Sequence, residues 1–252
     1  MIEVQNLVKT FHDRKKGEIP AVKGVSFTCP SGKIFGLLGR NGAGKTTTLR
    51  MLATILQPTS GTARINGHDI RERPAEVRRS IGYLSGDTKL YDRLTGRDLL
   101  QYFGALAGMH GDRIAKRMEE LRQTFQLDEL LDKRVGKMST GMKQRLSIAR
   151  VLFHEPQVLI LDEPTAGLDT VAARRLIDLI GDMGKRGLTV IFSTHIMTEA
   201  ERICDEIAII DRGQILDRGT VDALCHRNGS GAGKSLEDVF IHAVEEVVSL
   251  ER

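Results

Sequence analysis

The pattern of apolar and polar residues changes along the chain, and its first part is typical of strands. Ile2 and Val4 alternate with polar neighbours, and after a charged loop Val22, Val25 and Phe27 do the same. Alternation of this kind indicates strands with one buried and one exposed face. The chain is therefore predicted to begin with an antiparallel sheet.

Three short runs are almost entirely apolar instead of alternating. They cover Ile34–Leu38, 158–161 and 188–192, and helical patterns flank them. Parallel strands that are buried on both faces have this composition. The first run leads into a glycine-rich loop and a helix predicted over about 45–56, so the expected fold class is α/β.

Between residues 88 and 150 the strand pattern is absent, and apolar residues recur at helical spacing. Leu99, Leu100, Phe103 and Leu106 illustrate this spacing. Such a periodicity is typical of amphipathic helices. The region is predicted to be a helical insertion in the α/β core.

The C-terminal part predicts a hairpin, a linker and a last helix. Residues 207–210 and 215–216 are apolar runs on either side of a DRGQ turn, and the Gly/Ser-rich stretch NGSGAGKS comes next. This order of signals favours a hairpin and then a linker. The last amphipathic helix is predicted to begin at Ser235, with Asp238 completing a capping box.

Composition narrows the class of protein. The 252 residues are 40% hydrophobic and 28% charged, which excludes a disordered or fibrous chain. Apolar runs extend over only a few residues, whereas a membrane-spanning helix needs about 20. The N-terminus carries no legible secretion signal, so a cytoplasmic location is expected.

Cys29, Cys204 and Cys225 lack metal-binding or redox spacing and are predicted to be reduced, structural thiols.

The net charge of +4 is weak evidence for an anionic partner. One local basic cluster is Arg71, Arg73, Arg78 and Arg79, and it lies among acids with few aromatic residues nearby. A solvated helix face explains this cluster better than a nucleic-acid footprint does. No nucleic-acid partner is expected.

The strongest chemical motif comes after the first buried strand. It consists of Gly39, Arg40, Asn41, Gly42, Ala43, Gly44, Lys45 and Thr46, a complete GxxxxGKT between a strand and a helix. Glycines let backbone N–H groups surround phosphate oxygens, and the helix N-terminus adds partial positive charge. Lys45 is expected to reach the β- and γ-phosphates, Thr46 to bind Mg²⁺, and Thr47 to add a phosphate contact. The later stretch 228–235 ends in GKS but lacks the first glycine and a preceding strand, so it is interpreted as a linker.

Two acids end the second buried run, where the carboxyl edge of the sheet would bring them near the phosphate loop. Asp162 is predicted to hold Mg²⁺, directly or through water. Glu163 is the candidate general base that polarises a water for attack on the γ-phosphate. Alone, such a pair often marks only a helix N-terminus, but beside a phosphate loop it indicates catalytic groups.

In their order and spacing the motifs resemble those of the ATP-binding cassette (ABC) ATPases, over nearly the whole chain. Further matches are the signature-like Ser139, Thr140, Gly141 and Met142, the D-loop-like segment 163–169, the switch histidine His195, and Phe11 at the adenine-stacking position. The resemblance implies an ATPase with Lys45, Glu163 and His195 as catalytic residues. It implies that His195 senses the γ-phosphate through a hydrogen bond.

The resemblance also implies a shared site. In the family the signature acts in trans, so Ser139 and Gly141 would contact the γ-phosphate of ATP held by the opposite subunit. This implies a head-to-tail dimer around two ATP molecules, formed with a second copy or a homologous ATPase. Asp169 would communicate between the two sites.

The implied architecture is a P-loop NTPase core with an antiparallel β-subdomain and an inserted helical subdomain. Residues 1–87 and 151–227 would form the core, 88–150 the helical subdomain, and 228–252 a linker and C-terminal helix. The implied function is ATP hydrolysis that drives export through a separate integral membrane permease. The chain would then be peripheral on the inner face of the cell membrane.

Two departures from the family pattern refine this expectation. Thr140 and Met142 replace a glycine and a glutamine of the signature, as in export-type (ABC-2) transporters, and Gly86 stands where the Q-loop has its glutamine. The neighbouring Asp87 is either a metal ligand that takes over part of the glutamine's task or a solvated loop acid. The segment GDTKLYDRLT resembles NatA-type sodium-exporter ATPases most closely, so sodium is the expected cargo, with a drug, lipid or polysaccharide left open.

Two other functions stay open at this point. A soluble ABC ATPase of translation or DNA repair would share these motifs, but such proteins usually have tandem cassettes or long coiled-coil insertions. A nucleotide-binding regulator without turnover is disfavoured because both Glu163 and His195 are present.

Overall fold

The computed structural model describes residues 1–15, 17–86, 89–227 and 235–250. Its strands are β1 Ile2–Asp13, β2 Gly17–Cys29, β3 Ile34–Leu38, β4 Ser60–Ile65, β5 His68–Asp69, β6 Ile81–Leu84, β7 Val158–Asp162, β8 Thr189–Thr194, β9 Glu206–Asp211 and β10 Gln214–Gly219. Its α-helices are α1 Lys45–Leu52, α2 Pro74–Ser80, α3 Gly96–Leu106, α4 Gly111–Phe125, α5 Asp128–Leu131, α6 Thr140–Leu152, α7 Thr170–Lys185, α8 Met197–Ile203, α9 Val221–Arg227 and α10 Leu236–Leu250.

The N-terminal sheet has the strand order β2-β1-β4-β5, and all of its pairs are antiparallel. Ile2 and Val4 of β1 are buried, as are Val22, Val25 and Phe27 of β2. The alternating pattern therefore marks the buried face of this sheet, and the predicted antiparallel sheet is confirmed. Strands β4 and β5 extend it and were not predicted.

The second sheet has the order β10-β9-β3-β8-β7-β6. All of its pairs are parallel except β9 with β10, which form the predicted hairpin. Every residue of β3, β7 and β8 is buried, as expected of strands covered on both faces. The edge strand β6 was not predicted, because it is only four residues long and contains Gly82.

The helix predicted over 45–56 ends earlier, at Leu52. Thr54 has a φ of 58°, in the left-handed region, and this turns the chain away from the helix axis. Two N–H groups beyond it bond to the carbonyl oxygen of Arg50, which closes the helix end.

Helices α3 to α6 occupy the stretch in which helical spacing was predicted. Leu99 and Leu100 of α3 are fully buried, but Leu106, the last residue of the helix, is 70% exposed. The start of α3 carries a capping box between Thr95 and Asp98.

The last helix, α10, begins as predicted. The Asp238 N–H donates to Ser235 Oγ at 3.2 Å, and the Ser235 N–H donates to Asp238 Oδ2 at 2.9 Å, which is a reciprocal capping box. The predicted linker at 228–234 lies outside the described residues. Over the part of the chain that is described, no helix has both the length and the apolar character needed to span a membrane.

The three cysteines are free thiols. Burial raises the pKa of the Cys29 thiol to about 12, so this group stays protonated at neutral pH.

Strand register brings distant segments together. Leu38 at the end of β3 pairs with Thr194, and Asp162 at the end of β7 pairs with Ser193. Because parallel strands end at the same edge of a sheet, the residues after β3, β7 and β8 meet there. That edge contains the phosphate loop, Glu163 and His195.

Candidate functional site

The phosphate loop depends on glycine at two positions. A Cβ on Gly39 would lie 2.3 Å from the carbonyl oxygen of Ile210. Gly44 has a φ of 105°, and a Cβ there would lie 2.7 Å from the carbonyl oxygen of Ala21. The loop thus keeps its backbone against neighbouring strands and leads into α1, whose N-terminus has no side-chain cap in the described structure. An N-terminus of this kind favours an anion.

Lys45 is folded back over the loop. Its ammonium donates to the carbonyl oxygens of Gly39 at 2.7 Å and Arg40 at 3.1 Å, and it lies 3.0 Å from Glu163 Oε1. The Lys45 side chain is only 3% exposed. A buried ammonium requires anionic or carbonyl partners, and here the candidate base supplies the anion.

Asp162 receives two hydroxyl donors on one oxygen. Thr46 Oγ1 donates to Oδ1 at 3.1 Å, and Ser193 Oγ donates to the same atom at 2.8 Å. Burial raises the pKa of Asp162, and the bonds from Ser193 and Thr46 oppose that rise. The predicted pair of metal-binding side chains is therefore in contact.

These donors fit Mg²⁺, which prefers oxygen ligands and usually combines one or two carboxylates with substrate phosphates and water. The Thr46 hydroxyl and the Asp162 carboxylate are hard oxygen donors. Among the described residues no group of three His, Cys, Asp or Glu side chains could hold a metal ion by itself. A cation here would depend on phosphate oxygens for part of its shell.

Glu163 lies between a lysine and a histidine. Its Oε2 is 3.3 Å from His195 Nδ1, while Oε1 contacts Lys45. The Glu163 side chain is 24% exposed and that of His195 is 48% exposed, so solvent reaches both. Glu163 also has a φ of 46°, a strained backbone conformation of the kind that often occurs at functional sites. We call Lys45, Thr46, Asp162, Glu163, Ser193 and His195 the phosphate-loop cluster.

The signature residues lie on a different surface. Ser139 and Asp169 are the N-caps of α6 and α7, and both are exposed. Together with Gly141 they line an open cavity of about 1000 Å³, which we call the signature pocket. Its described lining, which includes Thr140 and Met142, contains no residue of the phosphate-loop cluster.

The other predicted residues have mixed outcomes. Phe11 lies on β1, paired with Ile19 and 40% exposed, with the Lys9 ammonium 5.2 Å from its ring centroid. Thr47 is half-buried in the first turn of α1. Asp87 lies outside the described residues, so its role stays a prediction.

Sequence reasoning missed the contact that Ser193 makes with Asp162. The strand run before His195 was recognised, but the contact of Ser193 with Asp162 depends on the register of β7 against β8. It also missed Gln144, whose side-chain amide donates to the carbonyl oxygen of Pro164. A polar residue two places before the switch histidine was the available signal for Ser193.

The chain is similar to known proteins over most of its length. Residues 22–166, more than half of the chain, match the family described as ABC transporter. The ABC transporter ATP-binding protein NatA of Bacillus subtilis (strain 168) is 41% identical over 225 residues, which cover 89% of this chain and 91% of that protein. A solved ATP-binding subunit of an ABC transporter has a TM-score of 0.84 at 29% identity and covers 97% of this chain and 99% of its own. A dimeric bacterial ABC transporter cassette has a TM-score of 0.78 at 25% identity, with coverage of 87% and 98%.

Proposed function

We propose a function from one premise: the chain belongs to the ABC transporter family. It is a transporter ATPase, an ATP-binding subunit whose relatives are ATP-binding subunits of transporters. These relatives do not support the alternative of a soluble ATPase of translation or DNA repair. The roles of individual residues and of partner proteins are proposals that rest on this premise.

One observation carries the assignment: three separate segments of the chain bring Lys45, Asp162 and Glu163 into one connected cluster with His195. Lys45 would bind the β- and γ-phosphates, and Thr47 would add a phosphate contact. The loop amides of 39–44 would surround the phosphates. Phe11, exposed on β1, would stack on the adenine.

Glu163 is the proposed general base. Its carboxylate oxygen Oε1 lies 3.0 Å from the Lys45 ammonium, and a triphosphate would offer Lys45 a stronger anionic partner. Glu163 would then be free to accept a proton from a water in line with the γ-phosphate. His195 would hydrogen-bond a γ-phosphate oxygen and hold the base in place. Mg²⁺, held by Thr46 and Asp162, would neutralise phosphate charge.

We assign the signature pocket to the ATP of a second subunit. Because its polar residues lie apart from the phosphate-loop cluster, they would meet a γ-phosphate only across a head-to-tail dimer. The dimeric cassette among the structural relatives supports this proposal. Asp169, beside Ser139 in the same pocket, would link the two sites.

We propose that residues 1–87 and 151–227 act as the nucleotide-binding core, and that 88–150 contact an integral membrane permease. On that helical stretch Tyr91, Tyr102 and Leu106 are 55%, 49% and 70% exposed. The rings of Tyr91 and Tyr102 meet edge to face, 6.1 Å apart. An exposed apolar patch of this kind favours a protein partner. The chain would thereby be held at the inner face of the membrane and would drive export, with sodium as the expected cargo.

The experiment is phosphate release by the purified chain, alone and with the membrane protein encoded beside it. Turnover that requires Mg²⁺ is expected, as is co-purification of the two proteins. Leu106→Asp should weaken co-purification while ATP binding is kept. Absence of ATP turnover with the permease present would contradict the proposed function, and sodium transport into vesicles tests the cargo separately.

A further inference from the structure

Ser193 connects the metal-binding end of the phosphate-loop cluster to the base. Its side-chain hydroxyl donates to Asp162 Oδ1 at 2.8 Å and accepts from the backbone N–H of Glu163 at 3.0 Å. The residue is fully buried on β8. None of the roles assigned above uses this hydroxyl.

The hydrogen bond that the Ser193 hydroxyl donates has a defined direction. A serine hydroxyl has one hydrogen to donate, and here that hydrogen goes to a carboxylate, which gives a charge-assisted bond. The strand register holds Ser193 directly beside Asp162, so this bond does not depend on a mobile loop. The Glu163 N–H donates to the Ser193 hydroxyl oxygen, which is polarised by its own bond to Asp162. Hydrogen bonds linked in such a chain strengthen one another.

Asp162 needs an anchor that a cation does not displace. Its Oδ1 also accepts from Thr46 at 3.1 Å, but Thr46 is the residue proposed to turn its hydroxyl oxygen to Mg²⁺. Ser193 is fully buried and is not proposed to bind the metal, so nothing requires its hydroxyl to leave Oδ1. Its bond to Oδ1 fixes the orientation of the Asp162 carboxylate, the group proposed to hold the metal.

Glu163 needs support for a strained backbone. Its φ of 46° is unfavourable for a residue with a Cβ. The N–H of Glu163 donates to two oxygens of Ser193, the backbone carbonyl oxygen at 3.2 Å and the side-chain hydroxyl oxygen at 3.0 Å. These contacts favour the conformation in which the carboxylate reaches Lys45 and His195.

We propose that Ser193 is a positioning residue whose hydroxyl fixes the metal ligand Asp162 and the base Glu163 relative to each other. This inference rests on the proposed function of the cluster. A buried serine that serves only to fill space would not affect metal dependence. The two roles are therefore separable by experiment.

The test compares Ser193→Val with Ser193→Thr, because these two side chains have nearly the same shape and differ by a methyl in place of the hydroxyl. Ser193→Val should lower kcat about 10-fold and raise the Mg²⁺ concentration for half-maximal turnover about 10-fold, the usual effect of losing a partner of a metal ligand. Ser193→Thr should stay close to wild type in both. Ser193→Ala, which adds no volume to the buried site, should behave like Ser193→Val.

A second readout is ATP binding by fluorescence titration, with Mg²⁺ and with EDTA. Binding in EDTA should be equal in all four proteins, because Lys45 and the loop are intact, while binding with Mg²⁺ should weaken only where the hydroxyl is lost. Thermal unfolding without nucleotide identifies any variant that does not fold. Unchanged Mg²⁺ dependence in folded Ser193→Ala overturns the proposal, and so does an equal loss of binding with and without Mg²⁺. A wild type that binds Mg²⁺-ATP without turnover would instead count against the proposed function.

Discussion

The phosphate-loop cluster and the signature pocket use their polar side chains in different ways. In the cluster, Lys45 and Asp162 are buried, and each contacts residues that are far away in sequence. In the pocket, Ser139 and Asp169 are exposed and bond only to N–H groups at the start of their own helices, among the contacts described. Long-range contacts thus fix Lys45 and Asp162, whereas local caps fix Ser139 and Asp169.

This difference indicates which region is prepared for chemistry. In the cluster, the acidic, basic and hydroxyl side chains that the reaction would use already lie in contact with one another. The two capped helix ends of the signature pocket instead border an open cavity of about 1000 Å³. Helix N-termini favour anionic ligands. The difference supports our proposal that catalysis belongs to the cluster of one chain and completion of the site to the pocket of another.

The largest expected effect is that of Glu163→Gln, which removes the base and keeps its shape. Turnover should fall by about 10² to 10⁴, because an amide cannot accept the proton. ATP binding should persist, since Lys45 and the loop remain, and an ATP-bound dimer should accumulate on size-exclusion chromatography. Near-normal phosphate release from a clean preparation would mean that another group is the base.

The next effect is on affinity. Lys45→Ala should weaken ATP binding about 10- to 100-fold, because it removes a charge-assisted contact with the triphosphate. A suitable control is Lys33→Ala, since Lys33 forms an exposed ion pair with Asp205 and should leave affinity unchanged. Equal affinity of Lys45→Ala and wild type in a titration would contradict the assignment.

A smaller effect is expected at the pocket. Asp169→Ala removes an N-cap that accepts from Val171 and Ala172 at 3.0 and 2.9 Å, so stability should fall by about 1 kcal/mol in urea unfolding. Asp169→Asn keeps the cap and should keep stability. If Asp169→Asn nevertheless lowers ATP turnover, the residue acts between subunits as well as within its helix. Unchanged stability in Asp169→Ala would show that the cap contributes little.

The smallest effects concern the variant Q-loop. A Cβ on Gly86 would lie 3.6 Å from the carbonyl oxygen of Asp162, an ordinary contact, so Gly86→Ala should change the free energy of unfolding by less than about 0.5 kcal/mol. Asp87→Ala should raise the Mg²⁺ concentration for half-maximal turnover if Asp87 assists the metal. Identical midpoints for Asp87→Ala and wild type in a Mg²⁺ titration would leave Asp87 a surface acid.

The sequence predicted those parts of the molecule whose signals are local. The buried strand Ile34–Leu38 has the predicted bounds because a continuous apolar run directly reflects burial on both faces. The capping box at Ser235 was predictable because both partners lie within four residues. The phosphate loop was predictable because a complete GxxxxGKT directly follows an apolar run and precedes a helical pattern.

The parts that were missed depend on register and on three-dimensional contact. Ser193 bonds to Asp162 only because β7 and β8 pair in one particular register. The contact of Lys45 with Glu163 joins the start of α1 to the residue after β7, and no periodicity reveals it. The early end of α1 results from the left-handed backbone of Thr54. A threonine rarely adopts this conformation, so the sequence does not indicate it.

The most direct test of the composite site mixes two inactive chains. Lys45→Ala has a damaged phosphate loop and an intact signature pocket, whereas Ser139→Arg has the reverse, so each homodimer should be nearly inactive. In a mixture, heterodimers contain one intact composite site, and turnover should recover to about a quarter of wild type if pairing in the two-fold dimer is random. Homodimers of Ser139→Arg that hydrolyse ATP normally, or a mixture that stays inactive although heterodimers form, would contradict the composite site.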